Sequence, residues 1–141
     1  MWRRLRNIFG SLRAYTDLSP DLRTRQRVNR FLRDRPALSE DEWFEQFWQA
    51  QGVVQPIAAF VYTQMQTYSG LDFSRVRPDD HLTEDLYLPL VCWFDWQTSF
   101  AEDFLASFGL DLSDRFDPQS FTTVKELVIF LNHQLLSVNR S

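Results

Sequence analysis

Residues 79–133 read DDHLTEDLYLPLVCWFDWQTSFAEDFLASFGLDLSDRFDPQSFTTVKELVIFLNH, and this stretch decides the fold. Trp96, Phe100, Phe104 and Phe108 recur every fourth residue, with Leu105 widening the stripe, so 95–108 reads as an amphipathic helix. Asp95 stands where an N-cap is wanted and Gly109 where a helix stops. Thr123 with Glu126 fits a capping box, so the last helix starts at Thr122 or Thr123. Val124, Leu127, Val128, Phe130 and Leu131 supply its apolar face. No run of residues alternates as a half-buried strand does.

The same signals continue upstream. Residues 55–69 present Ile57, Phe60, Val61 and Met65 at helical spacing, with Pro56 near the start and Gly70 at the stop. Ser39 with Glu42 makes another capping box ahead of Trp43, Phe44 and Phe47, and Gly52 closes that helix. Between Gly70 and residue 85 lies a long acidic loop from which Val76 and Leu82 are expected to enter the core. Ser19-Pro20 reads as an N-cap and first-turn proline of a basic helix running to about Asp34, with Leu22, Val28, Phe31 and Leu32 as its stripe. Met1 to Tyr15 can form a short amphipathic helix on Trp2, Leu5, Phe9 and Leu12, weakened by Gly10.

A chain of 141 residues with 13 Phe and 5 Trp can fill one core, and it lacks the composition of a disordered segment. A lone cysteine, Cys92, excludes an internal disulfide, suits a reducing cytoplasmic compartment and reads as a small buried hydrophobe. No run approaches the roughly 18 apolar residues of a membrane span, and MWRRLRNIF lacks the apolar core of a secretory signal. An Arg-rich start without acids also fits an organelle transit peptide.

Charge divides the chain. Residues 1–35 carry ten Arg and three Asp, while 36–141 carry five basic and sixteen acidic groups. A basic arm, 1–35, on an acidic body, 36–141, can fold back on that body, bind an anionic partner or lie on an anionic membrane. Arg3, Arg4, Arg6 and Arg13 are the arm residues expected to do so, with Trp2 and Phe9 at headgroup level. Nucleic acid is disfavoured, because an acidic body repels its backbone and no nucleic-acid motif is present.

From Gln55 to about His133 the chain resembles an acyl carrier protein, the phosphopantetheine-binding fold. The resemblance is carried in order by Glu84-Asp85-Leu86, the helix ending Phe108-Gly109-Leu110-Asp111-Leu112, and Phe121-Thr122-Thr123-Val124. It implies an all-α bundle of three to four helices over about 55–135, with an N-terminal helical extension. Two departures matter. The attachment triplet Asp-Ser-Leu is absent, its place being taken by Trp93-Phe94-Asp95, and an apolar insert, 87–94, precedes the helix. That insert is either buried or exposed as a binding patch. The chain is thus similar to bacterial carrier-like proteins that keep the bundle and have lost the arm, so no cofactor is expected. Ser99, about one turn inside the helix, is a weak candidate for a relocated attachment serine.

Carriers are recognised through an acidic face of the equivalent helix. The resemblance therefore implies a protein partner at Trp93, Phe94, Asp95, Trp96, Glu102 and Asp103, and a non-enzymatic interaction or regulatory role. A genuine carrier modified at Ser99, and a membrane-peripheral protein held by the arm, are the alternatives. No catalytic or metal site is expected. His81 and His133 are isolated in sequence, Asp111, Asp114 and Asp117 lack calcium-loop spacing, and no phosphate loop or hydrolase motif occurs.

Overall fold

The computed structural model describes residues 20–112 and 115–139, and among these the protein is all-α. The elements are α1 (Leu22–Leu32), α2 (Glu40–Phe47), α3 (Gln55–Ser69), α4 (Leu88–Val91), α5 (Trp96–Phe108) and α6 (Val124–Asn139), with three single 3₁₀ turns between them. An isolated antiparallel bridge, His81 to Thr123, is the sole β pairing among the described residues. Arg3, Arg4, Arg6 and Arg13, and the amphipathic segment that contains them, lie outside the described residues.

The local stop and start signals act where the sequence puts them. Gly52, Gly70 and Gly109 all adopt left-handed φ, between 71° and 80°, at the ends of their elements. Gly70 has a second constraint: a Cβ there would stand 2.9 Å from the Arg25 guanidinium. At α2, Ser39 Oγ accepts from the Glu42 N–H while the Glu42 carboxylate accepts from the Ser39 N–H, closing the expected box. At α6, Thr123 Oγ1 accepts from the Glu126 N–H, and Glu126 reaches back one residue further, to the Thr122 N–H. Val76 and Leu82 are buried as the loop pattern implies.

α1 departs from expectation at three points. Its cap is Asp21, which accepts from the Arg23 and Thr24 N–H groups at 3.1 Å, so Pro20 precedes the cap. It ends at Leu32 rather than near Asp34. Its buried stripe is Thr24, Val28 and Leu32, at a strict four-residue interval. Leu22 is 62% exposed and Phe31 52%. Leu22 lies about 120° round the helix from Val28, too far to share its face.

α3 is the central helix. It buries Ile57, Ala58, Phe60, Val61, Met65 and Tyr68, and packs against both α2 and α6. Phe60 meets the rings of Phe100, Phe104 and Phe108 edge-on at 5.3–5.6 Å. Phe100 stacks on Phe116 at 4.8 Å, which carries the aromatic cluster from α5 into the following loop. On the other side, Trp43 sits edge-on to Trp48 and Tyr62 at 5.4 Å and donates its indole N–H to the Val76 carbonyl. Asn132 of α6 ties the α2–α3 turn down, accepting from the Val54 N–H and donating to the Gly52 carbonyl, both at 3.0 Å.

Residues 20–35, the described part of the basic arm, pack on the body through side-chain bonds. Arg25 donates through Nε to the Val91 carbonyl at 2.8 Å and through Nη2 to the Tyr68 carbonyl, closing carbonyls in the last turns of α4 and α3. Asn29 bonds the Gly70 carbonyl and the Asp72 N–H, and the Asp21 N–H bonds the Leu90 carbonyl at 2.8 Å. Arg35 grips Asp80 through two parallel bonds of 2.7 and 2.8 Å.

Several carboxylates are held below their ordinary pKa. At Asp21 the cause is the cap bonds from Thr24, and at Glu42 the bonds from Ser39. At Asp72 burial pushes upward, but bonds from Ser74 and Arg75 together outweigh it. A depressed folded pKa stabilises above the ordinary carboxylate range and is lost as pH falls through the folded value. The thermal midpoint is therefore expected to be flat above about pH 5 and to fall steadily below about pH 4. A scan from neutral to acid pH checks this. Glu42→Gln should flatten the acid limb, and a midpoint that rises on acidification would contradict the assignment.

Candidate functional site

The segment that follows the acidic loop builds the site. Tyr87 holds a left-handed conformation, φ 54°, unusual for a residue with a side chain, and turns the chain into the single helical turn of α4. Pro89 fits there, inside the first turn where its missing N–H costs nothing. The insert 87–94 proves to be both buried and exposed. Leu88, Val91 and Cys92 enter the core, while Tyr87, Leu90 and Phe94 face outward. A one-turn helix with alternating depth explains the division: one side packs against α1 and the other faces solvent.

Of the expected partner-binding residues, Phe94 is 47% exposed, Glu102 is exposed, and Trp93, Asp95 and Asp103 are half-buried. Trp96 is 6% exposed and meets Phe100 and Phe116 edge-on, so it supports the surface from beneath. Asp103 is engaged within the body, accepting from the Tyr68 hydroxyl in a bond that joins α3 to α5. Asp95 takes the N-cap position of α5 with φ −102° and ψ 18°, and its side chain makes no cap bond. Ser99 lies on the core side of α5, 6% exposed. A transferase cannot reach that hydroxyl in this conformation, whereas an attachment serine must stand free at a helix start.

A groove of about 320 Å³ runs along α5. Gln97, Thr98, Ala101, Glu102 and Leu105 form one wall, and Asp111 and Phe116 the other. Leu105, placed by its spacing in the core stripe, is 46% exposed. Ser99 takes the core position instead, beside Phe100 and Phe104. Leu105 follows Phe104 by one residue, about 100° round the helix, and that step carries it off the buried stripe and into the groove. Phe116 gave no local signal, because a loop residue's depth depends on the helices it meets. A smaller cleft of about 90 Å³ begins at Gln97, which lines both, and continues over Leu82, Leu88, Pro89, Trp96 and Pro118.

The groove places the carboxylates of Glu102 and Asp111 beside Leu105 and Phe116. Among the described residues no group of three or more His, Cys, Asp or Glu is placed to hold a metal. His81 Nδ1 stands 3.2 Å from Glu84 Oε2, an exposed i,i+3 pair, and Cys92 is buried. Asp117 caps a 3₁₀ turn by accepting from the Gln119 N–H. Asp114 lies outside the described residues. No described helix is long and apolar enough to cross a membrane. No protein-family model, no curated protein and no solved structure matches this chain.

Proposed function

We propose that this chain is a non-enzymatic, carrier-like interaction module that takes a basic, apolar segment of a protein partner into the groove along α5. The observation that carries the reading is the exposure of Leu105 in a groove whose walls also bear Glu102 and Asp111. An exposed leucine beside an aromatic floor is the kind of apolar patch that marks an interface. The carboxylates at its rim select a basic partner and speed its approach. The resemblance to carriers, which meet partners through this helix, supports the same face. A cytosolic setting suits a single buried cysteine. Modification at Ser99 is the carrier reading least favoured, because its hydroxyl faces the core.

A synthetic amphipathic peptide of leucine and arginine, titrated into the labelled protein, provides the test. Amide shifts are expected to concentrate on 97–105 and near Phe116. Leu105→Glu is expected to weaken binding at least about tenfold, with thermal midpoint unchanged, because it removes a central apolar contact. Glu102→Lys should weaken it and reduce its salt dependence. Shifts confined to another face, or equal binding by Leu105→Glu, would sink the reading.

A further inference from the structure

We propose that the solvent face of α1 is a second binding surface, and that it takes an anionic lipid bilayer. The helix packs through Thr24, Val28 and Leu32, and its opposite side carries Arg23, Arg27, Arg30 and Arg33, all exposed. None of the four forms an ion pair among the described residues, in contrast to Arg35 and Arg75. The sequence LRTRQRVNRFL contains no acid. Asp21 lies just before the helix, where its carboxylate is used as the cap, and Asp34 just beyond its end. Exposed Leu22 borders the arginine stripe on one side and exposed Phe31 on the other. The Arg35 guanidinium lies 5.0 Å from the centre of the Phe31 ring, so the ring is propped outward rather than loose.

Two features of this face select its partner. Four arginines in a stripe seek closely spaced phosphates, whose geometry a guanidinium fork fits. Two large apolar side chains flanking the stripe seek a medium that removes them from water. A nucleic-acid backbone meets the first demand and leaves Leu22 and Phe31 in solvent. The headgroup layer of an anionic bilayer meets both, as it does for interfacial helices of this composition. The sequence before the helix has the same chemistry, with Trp2, Leu5, Phe9 and Leu12 among Arg3, Arg4, Arg6 and Arg13. The excess of acid over 36–141 then fixes orientation, since the remainder of the protein is repelled by the surface that α1 attracts. No groove residue takes part, so this surface and the α5 groove can fail separately.

Full-length protein and sedimented vesicles test it. The protein is expected to partition onto phosphatidylcholine vesicles containing about one-third phosphatidylglycerol, to ignore pure phosphatidylcholine, and to be released by about 0.5 M salt. Arg27→Gln with Arg30→Gln is expected to lower partitioning roughly 30-fold, at the usual strength of one basic side chain near an anionic surface. Both positions are exposed, and an unchanged thermal midpoint confirms that the variant is folded. Leu22→Ser with Phe31→Ser should weaken binding while leaving its salt dependence intact. Undiminished binding by the arginine variant overturns the proposal. So does loss produced only by substituting Arg3, Arg4 and Arg6, equal binding to uncharged vesicles, or binding of duplex DNA without binding of vesicles.

Discussion

Arg35→Ala is expected to cost about 3–5 kcal/mol of unfolding free energy, and to cost more than Asp80→Ala. The asymmetry follows from where each charge sits. The Asp80 side chain is 6% exposed, and its carboxylate also accepts from the Arg77 N–H at 2.7 Å. Without Arg35 a dry carboxylate loses its paired cation and keeps one backbone donor and the weaker attraction of the Arg77 guanidinium. The Arg35 side chain is 25% exposed, so without Asp80 it can turn to water, and Asp80→Ala is expected to cost about 2–3 kcal/mol. The Asp80 backbone adds to the importance of the position, because its carbonyl receives the Val124 N–H that opens α6. Pairing with the carboxylate also holds Arg35 more firmly protonated than a free arginine. Urea unfolding of both single variants and the double variant checks this. The double variant should cost clearly less than the two singles combined. A larger loss for Asp80→Ala than for Arg35→Ala would mean that the carboxylate is better solvated than its burial implies.

Trp43→Ala is expected to remove about 3–5 kcal/mol, a large share of the roughly 5–15 kcal/mol that holds an ordinary domain folded. Its ring is fully buried between Trp48 and Tyr62, and no neighbour can collapse into a space of that size. Trp43→Phe divides the loss into its parts. It keeps most of the ring and deletes the indole N–H, whose acceptor, the Val76 carbonyl, still has Arg77 Nη1 at 3.3 Å. The cost expected for this change is therefore only about 1–2 kcal/mol. Thermal or urea unfolding followed away from the tryptophan signal gives both values. Near-equal losses for the two variants would assign the stability to the hydrogen bond rather than to the packing.

The parts of this fold legible in the sequence are those decided within one helical turn. Ser39 with Glu42, Thr123 with Glu126, Pro56 and the three glycines each act on backbone groups no more than about four residues away, so their chemistry is complete in the local string. The choice of buried face is less local. On α1, Leu22 and Phe31 are more apolar than Thr24, yet Thr24 is buried and they are not. Val28 and Leu32 enter the core, and α4 is an element on which α1 packs. On α5 the same rule exchanged Leu105 for Ser99. Of the site, the helix and its acids were visible. The groove was not, because Phe116 is seated there by the rings of Trp96, Phe100 and Phe130, all distant in sequence. Nor was the work of the basic helix on the body, because Arg25, Asn29 and Arg35 all bond to groups more than 40 residues away.

Those long connections set an order of events during synthesis. α1 leaves the ribosome before any of its partners exist. The Tyr68 carbonyl follows Arg25 by 43 residues, Asp80 follows Arg35 by 45, and the Val91 carbonyl follows Arg25 by 66. At an elongation rate of roughly 5–20 residues per second, α1 spends seconds without the groups that later hold it. An 11-residue helix is too short to be stable alone in water. The 22–32 segment thus emerges as a positively charged coil, and its helix forms only when α3 and α4 arrive to receive it. Among the described helices the one made first waits until Val91 for the last of these partners, and its charge keeps it soluble during the wait.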